Sequence, residues 1–449
     1  MKNKKNLKER GITLIALVVT IVVLLILAGV TINAVFSDSG IIKKAQEAQN
    51  KANESVQKDM EQINALENWL NENTGESNND KEVNISTLVG KEAVTKNTKA
   101  VDAYENKITI PKGFKVLAHN PTSSTGAVTY TYSGDNIPAV QDGIVIEDKD
   151  GNQFVWVPVS NKNGDGSNKI VKDDGSEVEI TLGRYTFARS SPGTPAIKQK
   201  GSEYDQTTLA QATSGTLNTK YGVAKSTYYF YELNGSRPGK EKSDLTGTNT
   251  TAKNLKDFIE KTESNKGFYI ARYEASYGSG YNSSGTDTAT KFANAKPLSK
   301  VSTANSTSSM NYKEGTLWNF ITQPQAALVS QNMYKNDKYV ESDLINSYAW
   351  STALEYINKM GSSDYINKKN TVTSILKTGQ SGDKACNIYD MSGNISEWTT
   401  ETATNSTGKC TYIGGGIGQQ QGTAFSRYVS DTVSKSNSIS FRVIMYIDN

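Results

Sequence analysis

The chain has 449 residues, 36 % of them hydrophobic, a formal net charge of +3, one histidine and two cysteines. That length implies two or three structural units. So few His and Cys residues exclude Ser-His-Asp, facial-triad iron and structural zinc chemistry. The charge is uneven. Lys2, Lys4, Lys5, Lys8 and Arg10 face only Glu9 in the first eleven residues, leaving about −1 on the remainder and no basic surface for nucleic acid.

Residues 12–35 form an uncharged apolar run rich in Leu, Ile and Val. At about 1.5 Å rise per residue it is long enough to cross a bilayer as one helix. The basic residues before it would hold the N-terminus in the cytoplasm and leave the bulk of the chain outside. A secretory signal would have a shorter apolar core and a small-residue cleavage step. A plain membrane anchor is the other reading.

The junction Arg10-Gly11-Ile12-Thr13-Leu14-Ile15 resembles the leader boundary of type IV prepilins, over residues 5 to about 70. The resemblance implies cleavage between Gly11 and Ile12 by a prepilin peptidase, N-terminal methylation, and association with other pilin-like subunits. Such pilins usually carry Glu as the fifth mature residue, whereas this chain has Ala16. A minor or membrane-held subunit therefore fits better than a major filament subunit.

Small or apolar residues at Ile41, Ala45, Ala48, Ala52, Val56, Met60, Ile63, Leu66 and Leu70 mark one stripe of an amphipathic helical spacer over 37–72. The polar stretch 73–106 reads as a linker. From residue 107 the pattern changes to short strands between turn-rich loops. Residues 143–159 predict a hairpin about an Asp-Gly-Asn turn. Its second arm, with Trp156, is apolar on both faces and belongs in a core. Residues 266–278 predict another buried strand. Residues 344–361 predict a helix stopped at Gly361. The Ser-, Thr- and Asn-rich stretches 160–260 and 276–316 read as surface insertions.

The succession "FYIARYEAS", "YAWSTALEYINKM", "NIYDMSGNISEWT", "YIGGG" and "SISFRVI" resembles the formylglycine-generating enzyme (sulfatase-modifying factor) domain family, over roughly 143–447. The most specific element is Tyr389-Asp390-Met391-x-Gly393-Asn394-x-x-Glu397-Trp398. The resemblance implies a variant of the C-type lectin fold. The expected fold class is thus α+β: a long N-terminal transmembrane or pilin-like helix, then a C-type-lectin-like domain over 107–449 with little regular secondary structure.

The oxygen-dependent enzymes of that family use a cysteine pair near the C-terminus to bind copper. Here 417–440 holds no cysteine, and thiolate is the ligand and nucleophile that chemistry needs. A branch using iron held by several histidines is excluded too, since His119 stands alone. The domain is expected to be catalytically silent.

By the same resemblance, the 389–398 element would wrap a structural calcium ion, through Asp390 and Glu397 side chains and the Gly393 and Ile395 carbonyls. Calcium takes six to eight hard oxygens, which suits that set. The competing reading is a turn fixed by Asn394, with Glu397 paired to Arg442 or another base. Cys386 and Cys410 flank the element. If their strands are neighbours, a disulfide would stabilise by about 3 kcal/mol; otherwise they are two unrelated small core residues. Trp156 and Trp398 read as core.

Loops 417–438 lie where the family's substrate groove would be. They offer Gln419, Gln420, Gln421, Arg427 and Tyr428 to an external peptide or glycan. The sequence therefore supports a single-pass, surface-exposed prepilin-like protein displaying a non-catalytic binding domain. A pseudopilin-type structural subunit and a membrane-anchored enzyme of unrecognised activity are the alternatives.

Overall fold

In a computed structural model of the chain, the described residues are 82–118, 138–160, 169–185, 187–188, 196–197, 230–231, 255–361, 364–403, 409–417, 422–431 and 434–448, with 21–23 and 51. Contacts divide the chain into Met1–Asp80 and Lys81–Asn449. In the first unit only 21–23 and 51 are described, and they are helical.

The α+β expectation is overturned. Short paired strands dominate the described residues, and no helix among them is long and apolar enough to cross a membrane. Their longest helix, Leu255–Asn265, has 11 residues, far short of the 20 or so that a bilayer requires. On that finding the expected transmembrane helix, prepilin-type anchoring and single-pass location are corrected as far as the described residues go; of the run 12–35 only 21–23 are among them. The Gly11–Ile12 junction and nearly all of the 37–72 spacer lie outside the described residues. The linker expectation also shifts. Val83–Asn84 and Thr98–Val101 pair with each other, and Thr98–Val101 pairs with Lys107–Ile110, in a three-stranded sheet, so ordered structure begins inside 73–106.

The centre of the second unit is an antiparallel six-stranded sheet, in the order Val340–Leu344, Val443–Ile447, Gly267–Ala271, Gln153–Pro158, Val145–Glu147 and Lys115–Val116. The expected 143–159 hairpin is present. Asp148 closes its turn by accepting from the Asp150 and Asn152 backbone N–H groups at 2.9 and 2.8 Å, an Asx-type turn that leaves Gly151 at φ +78°. Phe154–Val157 and the whole of Gly267–Ala271 are buried, which explains why both read as unbroken apolar runs. Gly267 is required by close approach: a Cβ there would lie 2.3 Å from the Trp156 ring. Tyr269 ties the three-stranded sheet to this one by donating to the Thr109 carbonyl at 2.9 Å.

A second sheet runs Phe230–Tyr231, Ser396–Ala403, Lys409–Ile413 and Arg427–Ser430, with Ile439–Phe441 parallel to the start of Ser396–Ala403. The chain leaves this sheet at Phe441 and enters the central one at Val443, so Arg442 sits at the crossing between them. The predicted 344–361 helix forms over Ser347–Tyr356, capped by Asn346 accepting from the Ala349 N–H at 2.8 Å, and closes in a π-turn over Ile357–Gly361. Trp156, Trp350 and Trp398 are fully buried. Trp350 and Trp398 donate to the Ala424 and Ile321 carbonyls at 2.8 Å.

Candidate functional site

The 389–398 element lies across the seam between the two sheets, and its charged groups are buried there. It begins with a two-residue hairpin joining Lys384–Ala385 to Ile388–Tyr389. Both turn residues, Cys386 and Asn387, have positive φ, 44° and 59°, as a type I′ turn demands. Asn387 fixes the turn by donating to the Asp142 and Gly143 carbonyls at 3.0 and 2.8 Å. Asp390 and Asn394 also take positive φ, 63° and 60°. These are the residue types that tolerate it.

The charged and amide side chains of the element have protein partners, while the buried Ser392 hydroxyl has none among the described residues. One Asp390 carboxylate oxygen accepts from the Gly379 N–H at 2.5 Å and the other from the Ser381 hydroxyl. Asn394 accepts from the Leu376 N–H at 2.9 Å and donates to Glu274. Glu274 also accepts from the Ile395 N–H at 3.1 Å. Gly393 packs against Ser381 and Asp383, and the buried Ile395 packs with Leu317 and Ile375.

Glu397 takes the Arg442 guanidinium with both oxygens, at 2.6 and 3.0 Å. The remaining Arg442 donors reach the Ala271 carbonyl at 2.8 Å and the Tyr389 carbonyl at 2.7 Å. One buried cation thus joins the central strand, the hairpin and the second sheet. Bidentate geometry makes this among the stronger polar contacts available.

Burial governs the electrostatics. It pushes the Asp390 carboxyl up to about 6, against the pull of the Ser381 and Gly379 hydrogen bonds. It pushes Glu274 well above the carboxylate range, and the neighbouring Asp390 and Glu397 charges push it further. Burial raises Glu397 as well, against the pull of the Arg442 guanidinium.

These residues do not fit a calcium ion. Both Glu397 oxygens face a guanidinium, both Asp390 oxygens face donors, and a dication beside Arg442 would be repelled. Among the described residues no group of three or more His, Cys, Asp or Glu is arranged to hold a metal.

The other predicted site residues scatter. Arg427 is buried rather than in a groove, and donates to Glu401 at 2.8 Å; Arg184 pairs with the other Glu401 oxygen. Tyr428 is half-buried and stacks on Tyr412 at 5.3 Å. Gln419, Gln420, Gln421 and His119 lie outside the described residues. Cys386 and Cys410 are not joined by a disulfide: Cys386 is in the hairpin turn and Cys410 is buried in the second sheet. Burial pushes the Cys386 thiol up to about 12. Denatured without reductant, the protein should therefore titrate two thiols with a chromogenic disulfide; a count of zero would restore the bridge.

Sequence reading missed Glu274 and Glu401. Glu274 did leave a signal, as the single carboxylate of "GFYIARYEAS", a stretch that is otherwise apolar or aromatic apart from Arg272 and Ser276.

No family model matches the chain, and no curated protein matches it. Among solved structures, CarF aligns at 14 % identity over 49 % of this chain and 98 % of its own, with a TM-score of 0.28. PvdO from Pseudomonas aeruginosa aligns at 13 % identity over 49 % of this chain and 94 % of its own, with a TM-score of 0.27. The Major Tropism Determinant I1 variant aligns at 12 % identity over 82 % of this chain and 98 % of its own, with a TM-score of 0.26. Superpositions this loose carry no argument about fold or function.

Proposed function

We propose that residues 81–449 form a catalytically silent recognition domain of the formylglycine-generating-enzyme type. The supporting observation is how the 389–398 element is used. Its carboxylates, with Glu274 and Arg442, are bound to one another and to backbone groups at the seam between sheets, so the element holds a scaffold together and presents no reactive group. Loops carried on a rigid base of this kind suit binding. The lack of cysteine throughout 417–440 removes the ligands and nucleophile of the copper enzymes.

The test uses the full chain. Glycan and peptide arrays should show saturable binding of a restricted ligand class, and a cysteine-containing peptide incubated with copper and oxygen should remain unchanged. Copper-dependent conversion of that peptide, or no binding to either array at micromolar protein, would overturn the proposal.

A further inference from the structure

A cavity of about 740 Å³ opens away from the buried charge network, between the 148–152 turn, the 278–300 segment and the 333–337 turn. That volume falls within the range of about 300–1,000 Å³ usual for ligand sites. Phe114 and Tyr334 line the cavity, and both pack on the fully buried Phe154. Phe114, Phe154 and Tyr334 meet one another at ring-centroid distances of 5.8 to 6.3 Å. The Tyr334 hydroxyl donates to Asp148 at 2.8 Å.

Two of the walls are stitched together. Ser299 N–H donates to Asn152 at 3.0 Å, the Ser299 hydroxyl donates to the Gln153 carbonyl at 2.6 Å, and Gln153 N–H returns a bond to the Ser299 carbonyl at 2.9 Å. The site is preorganised, which lowers the entropy lost on binding.

The lining is nearly balanced in charge, five lysines (Lys112, Lys149, Lys296, Lys300, Lys335) against four carboxylates (Asp148, Asp150, Glu314, Asp337), but most of the lysines are unpaired. Lys112, Lys296, Lys300 and Lys335 line the cavity, and none forms an ion pair with a described carboxylate within 4.0 Å. The Lys300 ammonium passes over the 148–152 turn, about 3.3 Å from where a Cβ on Gly151 would stand. The acidic lining residues keep their negative charge, but three of the four are held in place by protein donors. Asp148 holds its turn and Tyr334, Asp150 pairs with Lys149 at 2.8 Å, and Asp337 accepts from the Tyr339 and Val340 N–H groups. Glu314 alone offers a carboxylate with no such partner among those described. Exposed Asn294, Asn336 and Ser279 add neutral donors and acceptors beside the lysines.

We propose that this cleft binds an acidic oligosaccharide, one bearing carboxylate or sulfate groups on its sugar rings. The lysines would meet the anionic groups, the Asn and Ser side chains the hydroxyls, and Tyr334 the apolar ring face. This deepens the recognition proposal and rests on it. A nucleic acid is disfavoured because four of the chain's arginines, the side chains best suited to phosphate, are buried at Arg184, Arg272, Arg427 and Arg442.

The experiment is titration calorimetry of the full chain with four probes: a heparin-derived hexasaccharide, a galacturonate hexamer, a neutral maltohexaose and an oligothymidylate. One or both acidic sugars should bind in a salt-sensitive manner, and maltohexaose and oligothymidylate should bind at least about tenfold more weakly. Lys296→Gln combined with Lys300→Gln should weaken acidic-sugar binding by about tenfold or more with the circular dichroism spectrum unchanged. Unaltered affinity in that variant would place the binding elsewhere, for instance on the basic residues 2–10, and overturn the cleft assignment. Equal affinity for oligothymidylate would reduce it to general polyanion attraction and overturn it too. Array binding confined to neutral glycans or peptides would sink the cleft proposal while leaving the recognition domain intact.

Discussion

Replacing Arg442 with alanine should destabilise the second unit by about 3–5 kcal/mol, the cost of stranding a buried partner charge. The loss has two parts. Glu397 and its neighbours Glu274 and Asp390 would face one another without a cation, and the Ala271 and Tyr389 carbonyls would lose their donors. Glu397→Gln keeps the shape and one acceptor, and leaves Arg442 near the other carboxylates, so its effect should be smaller. The double change Glu397→Leu, Arg442→Met removes both charges together and should recover part of the loss, because an apolar pair of similar volume needs no compensation.

Urea midpoints at pH 7 check the series, with the slope of the transition confirming that the unfolded state is comparable. The same scaffold reading requires equal melting temperatures in chelator and in millimolar calcium. Arg442→Ala within about 1 kcal/mol of the parent protein, together with a calcium-dependent melting temperature, would mean that a metal and not the guanidinium holds the seam.

The parts legible in the sequence were those whose local pattern and tertiary role agree. The 143–159 hairpin carries its turn chemistry within its own residues, and Phe154–Val157 had to be buried because neither face was polar. The helix over Ser347–Tyr356 announced itself by its spacing and its glycine stop, though its Asn346 cap was not read. The 389–398 element stood out for the same reason: a Gly-Asn turn followed at once by a buried tryptophan.

What could not be read was the partner of each charge. Glu397 and Arg442 are 45 residues apart, and they meet only because Ile439–Phe441 lies parallel to Ser396–Trp398 in one register. No spacing rule reports a long-range parallel pairing. Two chemistries, a metal ligand and an ion-pair partner, were therefore both open to Glu397, and the sequence reading favoured the first.

Arg427 misled for the opposite reason. A cationic residue among polar loops reads as exposed, yet Arg427 alternates inward on its strand and meets Glu401, 26 residues before it. The fold class was set from the hydropathy of 12–35, of which only 21–23 are described, whereas the described residues are strand-rich.

Stability should rise, not fall, as the protein is acidified from about pH 7 to pH 5, and Asp390 supplies the largest defined part of that trend. In the fold its carboxyl titrates at about 6, compared with an ordinary value of 3.8. Between those values the native state binds more protons than the unfolded chain, so unfolding free energy decreases as pH rises. The contribution is fully present below about pH 4 and is lost as pH climbs through 6. A shift of about two units corresponds to about 2–3 kcal/mol.

The surroundings act in the expected senses. Burial raises Asp390, the Ser381 and Gly379 hydrogen bonds lower it, Asp383 raises it and Arg442 lowers it. Glu274, also raised by burial and by the Asp390 charge, adds to the trend with the same sign. Asp390→Asn removes the titration but keeps an oxygen for the Gly379 N–H, while the Ser381 hydroxyl can turn to accept from the new amide. Its stability should therefore vary less between pH 4 and 6 than that of the parent protein, by close to one proton's worth of slope. Urea denaturation at half-unit pH steps gives both curves. A parent protein that loses stability monotonically from pH 7 to pH 4, or an Asp390→Asn curve parallel to it, would show that the carboxyl is ionised in the fold and that the seam carries its negative charge throughout.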